Sequence, residues 1–270
     1  MKNVSDRTIR LLQGGFWKSG NYLLFRILKE LLISNNLYRS AYEEFGLKEV
    51  FTRVCEPYLE FPEQAEVPIL VVKNKRFAFE FHHPSLTFFN PSLESVFLNS
   101  SIIWSHEPLN YLSELLDDFT HKIFIIRKHE ETLNSLMHHL VRPSIRVKTP
   151  GYNITDVRKL YAKTDVFEKY VDKYLHYLES LSRFRKNIRL INFDNLVKNK
   201  KHTILKIADF LKLNANTERI IERTSFKVFK NSNIAHARSC NPDDYKKYFS
   251  SKHYDLIEQC KKYDFLFSDS

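Results

Sequence analysis

Apolar residues fall along this chain in two rhythms. Short runs in which almost every residue is apolar alternate with longer stretches whose apolar positions recur every three or four residues. "IRLLQGG" reads as a short strand ending in a turn, and "NYLLFRILKELLIS" follows it with apolar residues at Leu23, Leu24, Ile27, Leu28 and Leu31, one face of a helix. "VPILVV" and "RFAFEFHHP" read as strands or a hairpin, and "VFLNSSIIWSHEP" contains a strand ending near His106. "HKIFIIRKHE" is β-branched enough for a buried strand, and "EETLNSLMHHL" is helical. "YNITDVRKLYAK" leads into one long helix with Leu160, Phe167, Val171, Tyr174, Leu178 and Leu181 on its apolar face. "NIRLINF" is a further strand, "HTILKIADFL" a helix starting near its threonine, and "PDDYKKYFSSKHYDLIEQC" a helix after a proline start.

Strand and helix in alternation, with crossovers long enough for parallel pairing, predict an α/β fold. The expected architecture has three layers, a central mostly parallel sheet flanked by helices, and a single domain over residues 1–270. Ligands of such sheets bind beyond the carboxyl ends of the strands, so the first strand-to-helix turn, "GGFWKSGNY", is where a site is expected. Three of the chain's five glycines, Gly14, Gly15 and Gly20, are placed around that turn and its lysine.

Composition narrows the ligand. Lys and Arg number 42 against 32 Asp and Glu, a net charge of +10, which points to anionic partners. Hydrophobic content of 43% and aromatic content of 14% suit a packed globule. Cys55, Cys240 and Cys260 are far apart, which argues against a disulfide framework or a thiolate zinc site. "MKNVSDRTIRLLQGG" lacks the apolar core of a signal peptide, and no apolar run approaches a membrane span, so a cytoplasmic protein is expected.

A turn between a parallel strand and a helix start presents backbone N–H groups that attract phosphate. Lys18 adds a full charge there, and Ser19 and Gly20 allow close approach. The standard nucleoside-triphosphate spelling GxxxxGK[ST] is absent. Arg127 at a strand end precedes Ser135 by eight residues; "NFDNL", "RTSFKVF" and "ARSC" then follow in order. Together these segments, from about residue 11 to 255, resemble the PAPS-dependent sulfotransferases, where PAPS is 3′-phosphoadenosine 5′-phosphosulfate.

That resemblance implies a P-loop NTPase-like sulfotransferase fold and a set of roles. The family's K-S-G-T-T-W loop binds the 5′-phosphosulfate; Lys18, Ser19 and Gly20 match it, Asn21 and Tyr22 stand as hydrogen-bond donors in the next two places, and Leu23 replaces a tryptophan that stacks on adenine. Arg127 and Ser135 correspond to the pair holding the 3′-phosphate. Thr224 and Ser225 fall near the nucleotide, Phe226 on adenine, with Phe229 in place of a methionine. Arg238 is what remains of the R-K-G that also grips the 3′-phosphate, and Phe193 stands for a tyrosine near the purine.

"SIIWSHEPL" aligns His106 with the catalytic histidine, and Trp104 replaces a lysine two residues earlier. Imidazole titrates near neutrality and suits the task of taking a proton from an attacking hydroxyl; Glu107 is the alternative base. Lys18 is placed to meet charge on the leaving phosphate. The implied cofactor is PAPS, with 3′,5′-ADP as product and no metal. The implied partner is a small-molecule or glycan acceptor rather than nucleic acid, with peripheral membrane contact open. Two other readings stay open: a P-loop kinase-like phosphotransferase, and a non-catalytic binder of 3′,5′-ADP or of a polyanion. Aromatic residues Phe61, Phe77, Phe79, Phe81, Phe88 and Phe89, and Tyr152 and Tyr161, are candidates for an acceptor pocket or for ordinary core.

Overall fold

The computed structural model describes residues 8–46, 67–80, 87–89, 93–142, 154–225, 227–228 and 242–268. Phe226 and Arg238, and also Phe229, Cys55, Cys240, Phe61, Phe81 and Tyr152, lie outside the described residues. Among the described residues there are seven strands: β1 Leu11–Gly14, β2 Ile69–Lys73, β3 Arg76–Glu80, β4 Thr87–Phe89, β5 Ile102–Ser105, β6 His121–Ile126 and β7 Arg189–Asn192. The helices are α1 Asn21–Ser34, α2 Ala41–Glu44, α3 Leu93–Asn99, α4 His129–Leu140, α5 Val157–Tyr161, α6 Thr164–Arg183, α7 Phe193–Lys198, α8 Lys200–Leu211, α9 Thr217–Arg223 and α10 Ser251–Glu258. Among the described residues, no helix is long and apolar enough to cross a membrane.

All seven strands join one sheet in the order β4-β3-β2-β5-β1-β6-β7. β2, β5, β1, β6 and β7 run parallel, and β3 and β4 extend the edge antiparallel. The β2–β3 hairpin turns on Asn74 and Lys75, with φ of 50 and 61, the double positive φ that a two-residue turn needs to match strand twist.

Both faces of the sheet are covered, and strand alternation sorts the side chains between them. Leu11, Ile102, Trp104, Ile123, Ile125 and Ile191 share a core with α1 residues such as Phe25 and Leu28 and with Ile204 and Ile207 of α8. Their neighbours Leu12, Ile103, Phe124, Ile126 and Leu190 face the opposite core, with Leu133 and Met137 of α4 and Phe167 and Tyr174 of α6. This is the expected three-layer α/β arrangement.

Three elements differ from the periodicity reading. The single long helix expected after "YNITDVRKLYAK" breaks at residues 162–163, where Lys163 takes φ −91 and ψ 86. On one straight helix Tyr161 and Val166 would flank the Leu160–Phe167 stripe from opposite sides; the break lets all four bury. The tail is likewise split, a 3-10 segment at Pro242–Lys247 preceding α10, whose start is fixed by a reciprocal cap between Ser250 and His253. Finally, α8 begins at Lys200, ahead of the expected threonine start.

Gly14 ends β1 directly against a ring: a Cβ there would lie 2.1 Å from Cε1 of Phe124. Replacing it with alanine forces β6 or the ring to move, so Gly14→Ala should lose about 1–3 kcal/mol of stability. A lowered urea midpoint at unchanged m-value is the expected result.

Candidate functional site

The parallel register carries the site. Gly14 lies opposite Ser105 on one side and Phe124 on the other, and Ile126 lies opposite Asn192. The chain therefore leaves β5, β1, β6 and β7 at one edge of the sheet, delivering His106, the 15–20 loop, Arg127 and Phe193 side by side.

The loop is tightly braced. Residues 16–19 form a turn closed by Ser19 N–H donating to Phe16 O at 3.2 Å. Lys18 is its third residue, with φ 70, a conformation that L-residues adopt at a cost of about 1–3 kcal/mol. Asn21 holds the turn in place: its Nδ2 donates to Gly15 O at 3.2 Å and Phe16 O at 2.9 Å. Gln13 Nε2 donates to Asn21 O at 2.7 Å from within the strand. Gly20 follows with φ 104 and starts α1, where no side chain caps the helix and no acidic residue stands in the first turn. An uncapped helix start with this charge pattern favours an anion. Asn21 was expected to donate to the nucleotide; its amide is buried and committed to the loop's own carbonyls, because the strained turn needs that support. Tyr22 is partly buried, its ring beside Phe25 and 6.0 Å from the Arg26 guanidinium.

Phe193 joins this loop to the next strand end. A Cβ on Gly20 would fall 2.3 Å from Cδ2 of Phe193, so only glycine lets the loop lie on that ring. The guanidinium of Arg127 sits over the same ring, 4.6 Å from its centre. Glu131, one turn into α4 and 5% exposed, accepts a hydrogen bond from Arg127 Nε at 2.8 Å and forms an ion pair with its second terminal nitrogen at 2.8 Å. Ser135 lies four residues beyond Glu131 on the same side of α4 and is partly exposed.

Thr224 and Ser225 follow α9. The Thr224 hydroxyl is buried and donates to Ile220 O at 2.6 Å, so its side chain faces its own helix. The segment is tied to α1 and α8: Arg26 donates to Arg223 O, Arg223 pairs with Glu30 at 2.9 Å, and Lys200 Nζ donates to Thr224 O at 2.7 Å. Burial, and then the charge of Arg26, brings the Lys200 ammonium down to about 8.

On the other flank, His106 follows β5. Its Nδ1 lies 2.7 Å from Gly15 O; a carbonyl only accepts, so Nδ1 carries the proton and Nε2 of the neutral ring holds the lone pair. Burial lowers the His106 pKa, the Gly15 carbonyl opposes that shift, and the charge of Lys18 lowers it further. The neutral, proton-accepting form is thereby favoured at neutral pH. Glu107 turns to β2, where its Oε1 accepts from Val72 N–H at 3.3 Å. Burial pushes its carboxyl up, and the charge of Glu80 adds to this. Trp17, 38% exposed, stands 6.4 Å edge-on from His106 and 6.4 Å from Tyr170 of α6.

Several contributors escaped the sequence reading. Glu131 had an i, i+4 spacing to Arg127 that could have flagged it; Tyr170 and Lys173, half a sequence away from the loop, carried no local signal. Tyr161 belongs to the core, stacked on Tyr248 with its hydroxyl donating to Asn134 at 2.7 Å, and Phe79 is buried with it in the same core cluster. Among the described residues, no group of three His, Cys, Asp or Glu side chains is placed to hold a metal.

Comparison with known proteins places this geometry. A family model described as "Sulfotransferase domain" matches residues 14–263. Mouse sulfotransferase SULT7A1 complexed with PAP aligns at 17% identity and a TM-score of 0.53, covering 95% of this chain and 84% of that one. Retinol dehydratase in a complex with retinol and PAP aligns at 17% identity and a TM-score of 0.55, covering 99% and 84%. The same enzyme with androsterone and inactive cofactor PAP gives 14% identity and 0.55 over 99% and 84%. At these identities the likeness is one of fold. No curated protein matches the chain in sequence.

Because burial and Lys18 both disfavour imidazolium, the His106 ring should titrate below 6.5. Lys18→Met should raise that midpoint while leaving it below the ordinary value, since burial is the larger cause. Ring-proton NMR titrations, with His106→Gln to assign the resonance, check both.

Proposed function

The chain belongs to the sulfotransferase family, and from that membership we propose that it moves a sulfuryl group from PAPS to a hydroxyl or amine of an acceptor, releasing 3′,5′-ADP. One observation carries the reading: the lysine-bearing loop, at Gly20, and the Arg127 guanidinium pack on the same ring, Phe193, which brings the loop and the arginine together at one edge of the sheet.

The residues suit the nucleotide at both phosphate ends. At the 5′ end stand Lys18, the Ser19 and Gly20 backbone and the uncapped start of α1, with the backbone N–H groups of Asn21 and Tyr22 in the first turn, while the Asn21 amide braces the loop. At the 3′ end stand Arg127, oriented by Glu131, and Ser135, joined in this proposal by Arg238. Phe193, Thr224, Ser225 and Phe226 are assigned to the nucleoside between them. When bound, PAPS supplies the sulfuryl group and a phosphate leaving group.

His106 acts as the base. Its Nδ1 proton is anchored on Gly15 O, which aims Nε2 to receive the acceptor's proton as the acceptor oxygen bonds to sulfur and the sulfur–phosphate oxygen bond breaks. Lys18 meets the negative charge that this leaves on the phosphate oxygen. Burial, with the Lys18 charge adding to it, keeps His106 neutral beforehand. Glu107 is the weaker candidate, because its carboxyl is turned to β2. The acceptor class fits a carbohydrate or other small metabolite bearing a free hydroxyl.

Thermal denaturation with 3′,5′-ADP should show stabilisation that ATP with magnesium does not give. In a sulfate-transfer assay, His106→Ala should cost about 10²–10⁴-fold in rate with nucleotide binding retained. Lys18→Met should cost both rate and binding, and Arg127→Ala chiefly binding. Stabilisation by 3′,5′-ADP without transfer to any acceptor would favour the non-catalytic binder, and stabilisation by ATP–magnesium alone the kinase-like reading.

A further inference from the structure

Trp17 precedes Lys18 in the loop, and its indole leans toward His106 and α6. Its indole is exposed, an uncommon state for a tryptophan beside a candidate base. Tyr170 stands edge-on to it, and the Lys173 ammonium lies over both rings, 5.6 Å from the centre of Trp17 and 5.3 Å from that of Tyr170. Phe16 backs the platform from within, 5.6 Å from Trp17 and 4.8 Å from Tyr174. The imidazole of His106 and the ammonium of Lys173 thus both lie within 6.4 Å of the centre of one exposed aromatic ring.

We infer that this platform selects the acceptor: a ring-bearing alcohol or phenol with an anionic substituent, its ring on Trp17, its hydroxyl at His106 and its anion at Lys173. The inference rests on the sulfotransferase reading and adds the acceptor class to it. The charged groups around the platform are Lys18, Lys173, Glu107 and Glu80. Glu80 pairs with Lys73; Glu107, its carboxyl pushed up by burial, accepts from the Val72 N–H and is also reached by the Lys173 charge, which lowers it, so an acceptor anion shares Lys173 with Glu107. A flat ring gains from stacking on indole, and a cation already poised over that indole meets an anion at the ring's far edge at little further ordering cost.

The test uses the whole chain saturated with 3′,5′-ADP, titrated with 4-hydroxybenzoate and with its neutral counterpart 4-hydroxybenzamide. Binding is read from quenching of Trp17, the exposed member of the chain's two tryptophans, and by calorimetry. Wild type should prefer the carboxylate by about 5- to 10-fold, the scale of one charge-assisted contact at a partly exposed site. Lys173→Met, which keeps the aliphatic stem over the rings, should abolish the preference while leaving 3′,5′-ADP affinity unchanged. Trp17→Ala should weaken both ligands in calorimetry. Equal affinity for the two ligands, binding of neither, or a preference that survives in Lys173→Met overturns the inference while leaving the transferase reading intact. Failure of 3′,5′-ADP itself to bind overturns that reading, and the inference with it.

Discussion

One aromatic ring joins the first loop to the Arg127 guanidinium. Phe193 is the first residue after β7, and its position is fixed by the parallel register that aligns Asn192 with Ile126. Gly20 lies directly on the ring and Arg127 spreads over it. Neither contact is strong alone; a cation over a ring at a partly exposed site contributes about 0.5–1 kcal/mol. Their effect is geometric. The loop cannot drift from β6 without uncovering the ring, and the guanidinium cannot swing away without losing both the ring and the Glu131 carboxylate that pairs with it and accepts its Nε hydrogen bond.

The loop itself follows the logic of strain held by surrounding structure. Lys18 occupies a backbone conformation in which glycine is ordinary, and the unfavourable torsion is held by buried hydrogen bonds from Asn21 and Gln13. The same loop supplies the carbonyl that fixes the His106 tautomer. Backbone of Gly15 therefore serves two masters, accepting from Asn21 on one side and from the imidazole on the other. Preorganisation of this kind is what lets a static site act on a developing charge without rearranging.

Much of the architecture was legible because it rests on local rules. The short apolar run of β6 and the three-four spacing of α1 are written in single segments, and parallel pairing follows from the lengths of the crossovers. The placement of Lys18 and of Arg127 at strand ends was legible for the same reason. What was not legible depends on contacts between distant segments. The break before α6 arises because four residues compete for one core, a constraint invisible to periodicity. The commitment of Asn21 to its own loop follows from the torsion at Lys18, and no sequence pattern announces a positive φ on lysine. Tyr170 and Lys173 reach the site only because α6 crosses beside the first loop, more than a hundred residues away along the chain.

Trp17 and Lys18 are joined by one peptide inside a turn that the Ser19–Phe16 hydrogen bond closes and that holds Lys18 at positive φ. A rotation of that peptide moves the indole and the lysine together. A substitution that re-aims one side chain is therefore transmitted, by covalent geometry alone, to the backbone that carries the other.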